Sequence, residues 1–231
     1  MTTAFYVPKH VTQRTGSTCQ FSNCWAAVGA WLHGAATAGL AAITPEAFRI
    51  QAGGGSGRPN PTTGCHSGFE TDMVEGLAHL GVHARILKVG FEQAKAILSQ
   101  ERRAIFGIAV DYDAWPKGAD CMNGVAGPDV NHMVGIIGGR PITVMNPLCL
   151  DYQAVGLLAV LRAAQKYSTQ SGRDGIWLTR VLRPVPVTAP PDEARIAELE
   201  AQVADRDDAI AEASDLLARA RQGLEPFTRK P

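Results

Sequence analysis

Residues 18–32 read TCQFSNCWAAVGAWL, and the fold turns on how this run is parsed. Phe21, Cys24, Trp25, Val28, Trp31 and Leu32 recur at intervals of three and four, the spacing of one helix face, and Gly34 follows as a stop. The run predicts an apolar helix over 21–32 behind the short polar segment Thr15-Gly16-Ser17-Thr18. Two cysteines flank its start. Cys19 falls just ahead of the helix, where unpaired backbone N–H groups and the positive end of the helix dipole favour a thiolate. Cys24 falls on the apolar stripe, where a cysteine commonly acts as a small hydrophobe.

Outward from this helix the pattern shifts toward strands. Thr44-Pro45-Glu46 predicts a second helix start, with Thr as N-cap and Pro in the first turn. Residues 53–64 form a glycine and proline loop. Residues 71–80 are again helical, with Met73, Leu77 and Leu80 on one side and Gly81 closing the run. Strands are expected at 82–89 and 104–110, with a short helix at 91–100 between them. His132-Met-Val-Gly-Ile-Ile137 is the most strand-like run of the chain. The Gly138-Gly139 turn joins it to a strand at 141–145, giving a β-hairpin that ends at Asn146-Pro147. A helix at 152–167 and a closing strand at 175–182 complete an α+β domain expected over 1–183.

The 231 residues carry 22 basic and 22 acidic side chains, a formal charge of zero, with no run of Lys and Arg. Nucleic acid is excluded as a partner on that ground, since phosphate neutralisation needs a basic surplus. The N-terminus has no basic start with an apolar core, and no stretch approaches the length needed to span a bilayer. A cytosol-like compartment is therefore expected, without membrane contact. Cys19, Cys24, Cys65, Cys121 and Cys149 are odd in number and irregular in spacing, which fits neither a disulfide framework nor a zinc site. His66 beside Cys65, and His79 with His83, lack a second close pair to complete a tetrahedral site, so neither metal nor cofactor is expected.

Composition breaks once, near residue 190. Residues 184–191 form a Pro-rich spacer. Residues 192–224 then repeat an apolar side chain every seven positions at Ile196, Val203, Ile210, Leu217 and Leu224, followed by a tail at 225–231. The repeat reads as a coiled coil joining copies of the chain or docking it in an assembly, or as one amphipathic helix folded back on the main domain.

Gln13 precedes Cys19 by six residues (19 − 13 = 6), His132 opens one strand of the hairpin and Asn146 ends the other. With TCQFSNCWAAVGAW, GFETDMVEGLAHLGV, NHMVGIIGG and VMNPL, these residues resemble the papain-like cysteine peptidase superfamily. The motifs are more similar to the bacteriocin-processing (double-glycine) type and its phage-encoded relatives than to papain itself. The resemblance spans about residues 10–182. It implies a papain-like fold, with Cys19 as nucleophile, His132 as general base and acid, and Asn146 orienting the imidazole. Gln13 would share the oxyanion with the backbone N–H of Cys19. Many relatives carry Asp where Asn146 stands. Cys24 is the alternative nucleophile, because Cys24-Trp25-Ala26 resembles the papain C-W-A signature, although Thr18 rather than Gln stands six residues before it.

The function so implied is a cysteine peptidase, with a peptide substrate such as a wall stem peptide or a virion protein. The rival from another class is a non-enzymatic virion component that keeps the fold as a scaffold. An acyltransferase or amidase would use the same residues.

Overall fold

The structure is a computed structural model of the chain. It describes residues 6–13, 18–19, 22–101, 104–116, 131–139 and 141–182. The chain divides into two compact units, Met1–Pro184 and Val185–Pro231, and the described residues all belong to the first. The spacer at 184–191, the heptad helix at 192–224, the tail at 225–231, Cys121 and most of the 116–128 loop lie outside them.

Five helices and six strands alternate along the described chain. They are α1 (Cys24–Ala36), α2 (Pro45–Gln51), α3 (Glu70–His79), β1 (Ala84–Val89), α4 (Phe91–Gln100), β2 (Ile105–Asp111), β3 (Asn131–Ile137), β4 (Thr143–Met145), β5 (Gln153–Ala154), α5 (Leu157–Gln170) and β6 (Ile176–Val181). A single 3-10 turn, Tyr112–Ala114, follows β2. The strands form one antiparallel sheet in the order β1-β6-β2-β3-β4-β5. Two boundaries differ from the sequence reading in ways that matter below. The first helix begins at Cys24, not at residue 21, so Cys24 is its first residue. The 152–167 helix begins only after Gly156, and Gln153–Ala154 instead extend the sheet against Thr143 and Val144.

Helices cover both faces of the sheet. On one face Trp25, Val28, Trp31 and Leu32 of α1, Phe48 of α2, and Met73 and Leu77 of α3 pack with Ile105, Ala109, Met133 and Met145. On the other, Ala94 and Leu98 of α4 and Val160, Leu161 and Ala164 of α5 pack with Phe106, Ile108, Val110, Val134 and Ile136. A strand covered on both sides has no solvent face to make polar. All seven residues of β2 are buried, and its sequence IFGIAVD accordingly lacks apolar and polar alternation.

Two glycines set the height of α1 above the sheet. Gly107 and Gly135 are direct partners across β2 and β3. A Cβ at Gly135 would stand 2.5 Å from the Trp31 ring, and one at Gly107 would stand 2.8 Å from the Met73 methyl and 3.1 Å from Val28. Their bare backbone forms a dent into which α1 settles, and that approach brings the helix start to strand β3. The other end of the assembly is fixed by α2, where the Thr44 hydroxyl accepts from Ala47 N–H at 3.2 Å as the expected N-cap.

Candidate functional site

The hairpin β3–β4 places the imidazole. Gly135 pairs with Met145 and Ile136 with Val144, so continuing the register by one residue sets Asn146 opposite Val134. His132 is then its diagonal neighbour on the same sheet face, a distance that long side chains bridge. His132 Nε2 and Asn146 Oδ1 are 2.9 Å apart. The same Oδ1 accepts from the backbone N–H of Leu148 at 3.1 Å. A backbone N–H can only donate, so the carboxamide atom facing it is the oxygen, and the His132 nitrogen facing that oxygen must carry its proton. The neutral imidazole therefore keeps its lone pair on Nδ1. His132 is 4% exposed and Asn146 is fully buried. Burial pushes the His132 imidazole down to about 4, against a smaller upward pull from the Asn146 hydrogen bond.

The turn carrying Asn146 is clamped from the N-terminal segment. His10 Nε2 donates to the Asn146 carbonyl at 3.1 Å, while the Thr12 hydroxyl (3.0 Å) and Gln13 N–H (2.9 Å) both donate to the Pro147 carbonyl. His10 also lies edge-on to Tyr152, whose hydroxyl donates to the Pro8 carbonyl at 2.6 Å and accepts from Trp31 Nε1 at 2.7 Å. Gln13, 3% exposed, is thereby brought beside the Asn146-Pro147 step.

Cys19, the nucleophile that the resemblance implies, stands in a disulfide in this structure. Its sulfur is bonded to that of Cys65, with the two Cα atoms 5.4 Å apart and a sequence separation of 46. Cys149 is disulfide-bonded as well. The expectation that the cysteines form no disulfide framework is thus corrected. The reason is spatial: the glycine loop brings Cys65 to Cys19, aided by the Gly57 N–H bond to the Ser67 carbonyl at 2.8 Å. Gly68 also lets that loop lie on Trp25, whose ring would stand 2.3 Å from a Cβ there. Among the described residues Cys24 is the free cysteine, and it is half-buried. His66 Nδ1 and His79 Nδ1 donate to the carbonyls of Gly57 and Gln51.

Cys24 opens α1 after Asn23, whose carbonyl accepts the first helical bond from Ala27 at 2.8 Å. Asn23 is fully buried and its amide donates to Glu46 Oε2 at 3.1 Å, which ties this helix start to α2. The Cys24 sulfur lies near the main chain of Met133, Trp25 and Cys24 itself, whose polar groups favour the thiolate. Met133 directly follows His132, so the thiol lies within one peptide unit of the imidazole-bearing residue. Burial raises the thiol above its ordinary value and outweighs the lowering by those main-chain groups. The structure brings His132 and Asn146 together at one end of the β3–β4 hairpin, with Gln13 beside Asn146 and Cys24 against the main chain of Met133. Gln13 is eleven residues from Cys24 (24 − 13 = 11), so it reaches the corner through its bond to Pro147 and not through the short connection that six residues would give.

One neighbour has no sequence signal. Tyr112, in the 3-10 turn after β2, stands edge-to-face with the His132 ring at 5.1 Å and 79°. Trp115 stacks on Tyr112 at 6.3 Å with 7° between the planes.

No family model matches the chain, and no curated protein matches it. Among solved structures it is similar to a protein from Bacillus anthracis assigned as a C39-like peptidase, at 14% identity, covering 77% of this chain and 95% of that one with a TM-score of 0.50. It is also similar to the peptidase domain of Streptococcus ComA, a bifunctional ABC transporter involved in a quorum sensing pathway. That similarity is 12% identity over 76% of this chain and 98% of the other, with a TM-score of 0.45. The first likeness is one of fold: the described domain has the mixed helix and antiparallel-sheet architecture of the C39-like, papain-like peptidase type. No helix among the described residues is long and apolar enough to cross a membrane.

Proposed function

We propose that the chain is a cysteine peptidase in which Cys24 is the nucleophile, His132 the general base and acid, and Asn146 the group that orients His132. A single observation carries this reading. The free thiol at the start of α1 lies against the main chain of Met133, the residue next in sequence to an imidazole whose Nε2 is held by Asn146 Oδ1, which leaves Nδ1 as base. An imidazole held near 4 is neutral at pH 7 and able to accept a proton.

In the first step the Cys24 S–H proton passes to His132 Nδ1 as the sulfur bonds to the peptide carbonyl carbon. The negative charge on the carbonyl oxygen is met by the Cys24 backbone N–H and the Gln13 side-chain amide. The C–N bond then breaks, and the leaving amine takes the proton from His132. Water, losing a proton to the same imidazole, attacks the thioester and releases the acid, and the proton returns to Cys24. Asn146 carries no charge into this cycle; it fixes the tautomer and the ring plane.

The finer reading rests on the sequence alone. It gives a phage-encoded protein acting on wall stem peptides or virion proteins, with copies assembled through residues 192–224. A peptidyl epoxide tests the central claim. Cys24 becomes labelled, and His132→Ala abolishes the labelling while the fold is retained by circular dichroism. Uniformly slow labelling of the native protein, indifferent to His132→Ala, would favour the non-enzymatic scaffold.

A further inference from the structure

Asparagine is among the best helix N-caps, and Asn23 stands at the N-cap of α1 without capping it. Its backbone, at φ −100° and ψ 12°, is outside the extended conformation from which a cap side chain reaches forward, and no side-chain bond closes the first turn. Thr44 at the start of α2 shows the ordinary arrangement, φ −79° and ψ 155°, with its hydroxyl accepting from Ala47 N–H. The Asn23 side chain is engaged elsewhere. Its amide donates to Glu46 Oε2, the same oxygen that accepts from Arg49 Nε at 3.2 Å, and Arg49 also pairs with Glu46 Oε1. Its Oδ1 is buried without a hydrogen-bond partner. A buried carboxamide oxygen left bare is destabilising, and a cap bond is what this position would ordinarily give it.

The missing cap leaves the first turn of α1 open. The first amides of a helix have no acceptor within it, and a cap side chain accepts from the second or third of them, here Trp25 or Ala26. The Cys24 sulfur lies near the main chain of Trp25 and of Cys24 itself. A cap on Trp25 and the sulfur would therefore compete for one donor. We infer that Glu46, braced by Arg49, is a positioning residue that draws Asn23 off the cap of α1 and so keeps the first-turn amides open to the Cys24 sulfur. The inference takes its catalytic meaning from the peptidase reading, but its physical content is the state of the Cys24 thiol. Besides Glu46 and Arg49 of α2, the titratable groups around this thiol are His132, next to Met133 on β3, and Tyr167 of α5, beside which Arg173 pairs with Glu70.

The test is the pH dependence of iodoacetamide alkylation at Cys24, located by peptide mapping of the unreduced full chain. Glu46→Ala releases Asn23 to cap α1, so the thiol midpoint rises and alkylation at pH 7 slows about three- to tenfold. Loss of a nearby carboxylate charge would by itself move the midpoint the other way, so the sign separates the two causes. Glu46→Gln keeps an acceptor for the Asn23 amide and stays at the wild-type rate. Asn23→Ala cannot cap, so Glu46→Ala/Asn23→Ala returns to the wild-type rate. An unchanged or faster rate in Glu46→Ala overturns the inference. So does a double variant, or a Glu46→Gln variant, as slow as Glu46→Ala. Where Asn23→Ala does not fold, the contrast between Glu46→Ala and Glu46→Gln decides. Alkylation needs no turnover: a protein that shows these shifts and cleaves no peptide keeps this inference and loses the peptidase reading.

Discussion

Removing the Cys19–Cys65 bond separates the two cysteines that flank the helix start. The bond closes a loop of 46 residues. In the chain-entropy model, closing a loop of that length removes about 13 to 14 cal/mol/K from the unfolded ensemble, or about 4 kcal/mol at 25 °C. With a urea m-value of about 2 kcal/mol/M for a domain of this size, Cys19→Ser/Cys65→Ser is expected to unfold at about 2 M less urea than wild type under non-reducing conditions. The same variant keeps the Cys24 thiol, so it keeps both epoxide labelling and any peptide cleavage, measured well below its unfolding midpoint. Cys24→Ser gives the mirror result, near-normal stability without labelling or cleavage. Peptide mapping of native, unreduced wild type after alkylation completes the assay. Labelling at Cys19, or turnover by Cys24→Ser that rises when Cys65→Ser frees Cys19, would refute the assignment of the nucleophile.

Acid should unfold the domain through His132. Its imidazole binds a proton at 6.5 when unfolded but only near 4 when folded, so its contribution is complete above 6.5 and is lost as pH falls from 6.5 to 4. The loss is about 3 kcal/mol, read as the difference between the pH-stability curves of wild type and His132→Gln; identical slopes would contradict the burial. Glu70 is fully buried and paired with Arg173 at 2.7 Å, and the guanidinium also lies 4.8 Å from the centre of the Tyr167 ring. Arg173→Leu strands that carboxylate and is expected to cost about 3 to 5 kcal/mol in urea unfolding at pH 7, with less of a cost when Glu70→Leu accompanies it. Gly135→Val drives a side chain into Trp31 and should destabilise by about 1 to 3 kcal/mol, with a parallel loss of Cys24 labelling if the height of α1 positions the thiol.

Most elements were readable because they obey local rules. Thr44-Pro45-Glu46 caps a helix wherever it falls, and the Gly138-Gly139 turn between two apolar runs gives antiparallel pairing of β3 with β4. The same periodicity read the start of α1 three residues early, because Phe21 continues the apolar stripe while the backbone at Asn23 is not yet helical. That small difference bears on which cysteine is read as the nucleophile. It places Cys19, not Cys24, just ahead of the helix start, and the six-residue spacing from Gln13 points the same way. Nothing local to Cys19 or Cys65 signals their union, since a disulfide depends on where a distant glycine loop comes to rest. Tyr112 was equally silent: an aromatic residue after a buried strand looks like core until its ring is seen against an imidazole. His132 and Asn146 were legible because a hairpin register is local, and it alone puts them diagonally across one sheet face.

A thiol at a helix N-terminus is commonly expected below its ordinary value, yet Cys24 is pushed above it and His132 below. The two displacements act in the same sense. Each favours the uncharged form of its group. Both follow from one cause, burial, which leaves little water to solvate separated charge. In such a site the proton moves from sulfur to imidazole as the S–C bond forms, and the oxyanion donors matter more than any prior ionisation, because they meet the first full charge the reaction creates. Under the proposed peptidase reading, that places the weight of catalysis on the Cys24 N–H and Gln13. It also gives the His10, Thr12 and Gln13 bonds to residues 146 and 147 a role beyond stability, since one short segment then fixes both the orienting Asn146 and the residue proposed to receive the oxyanion.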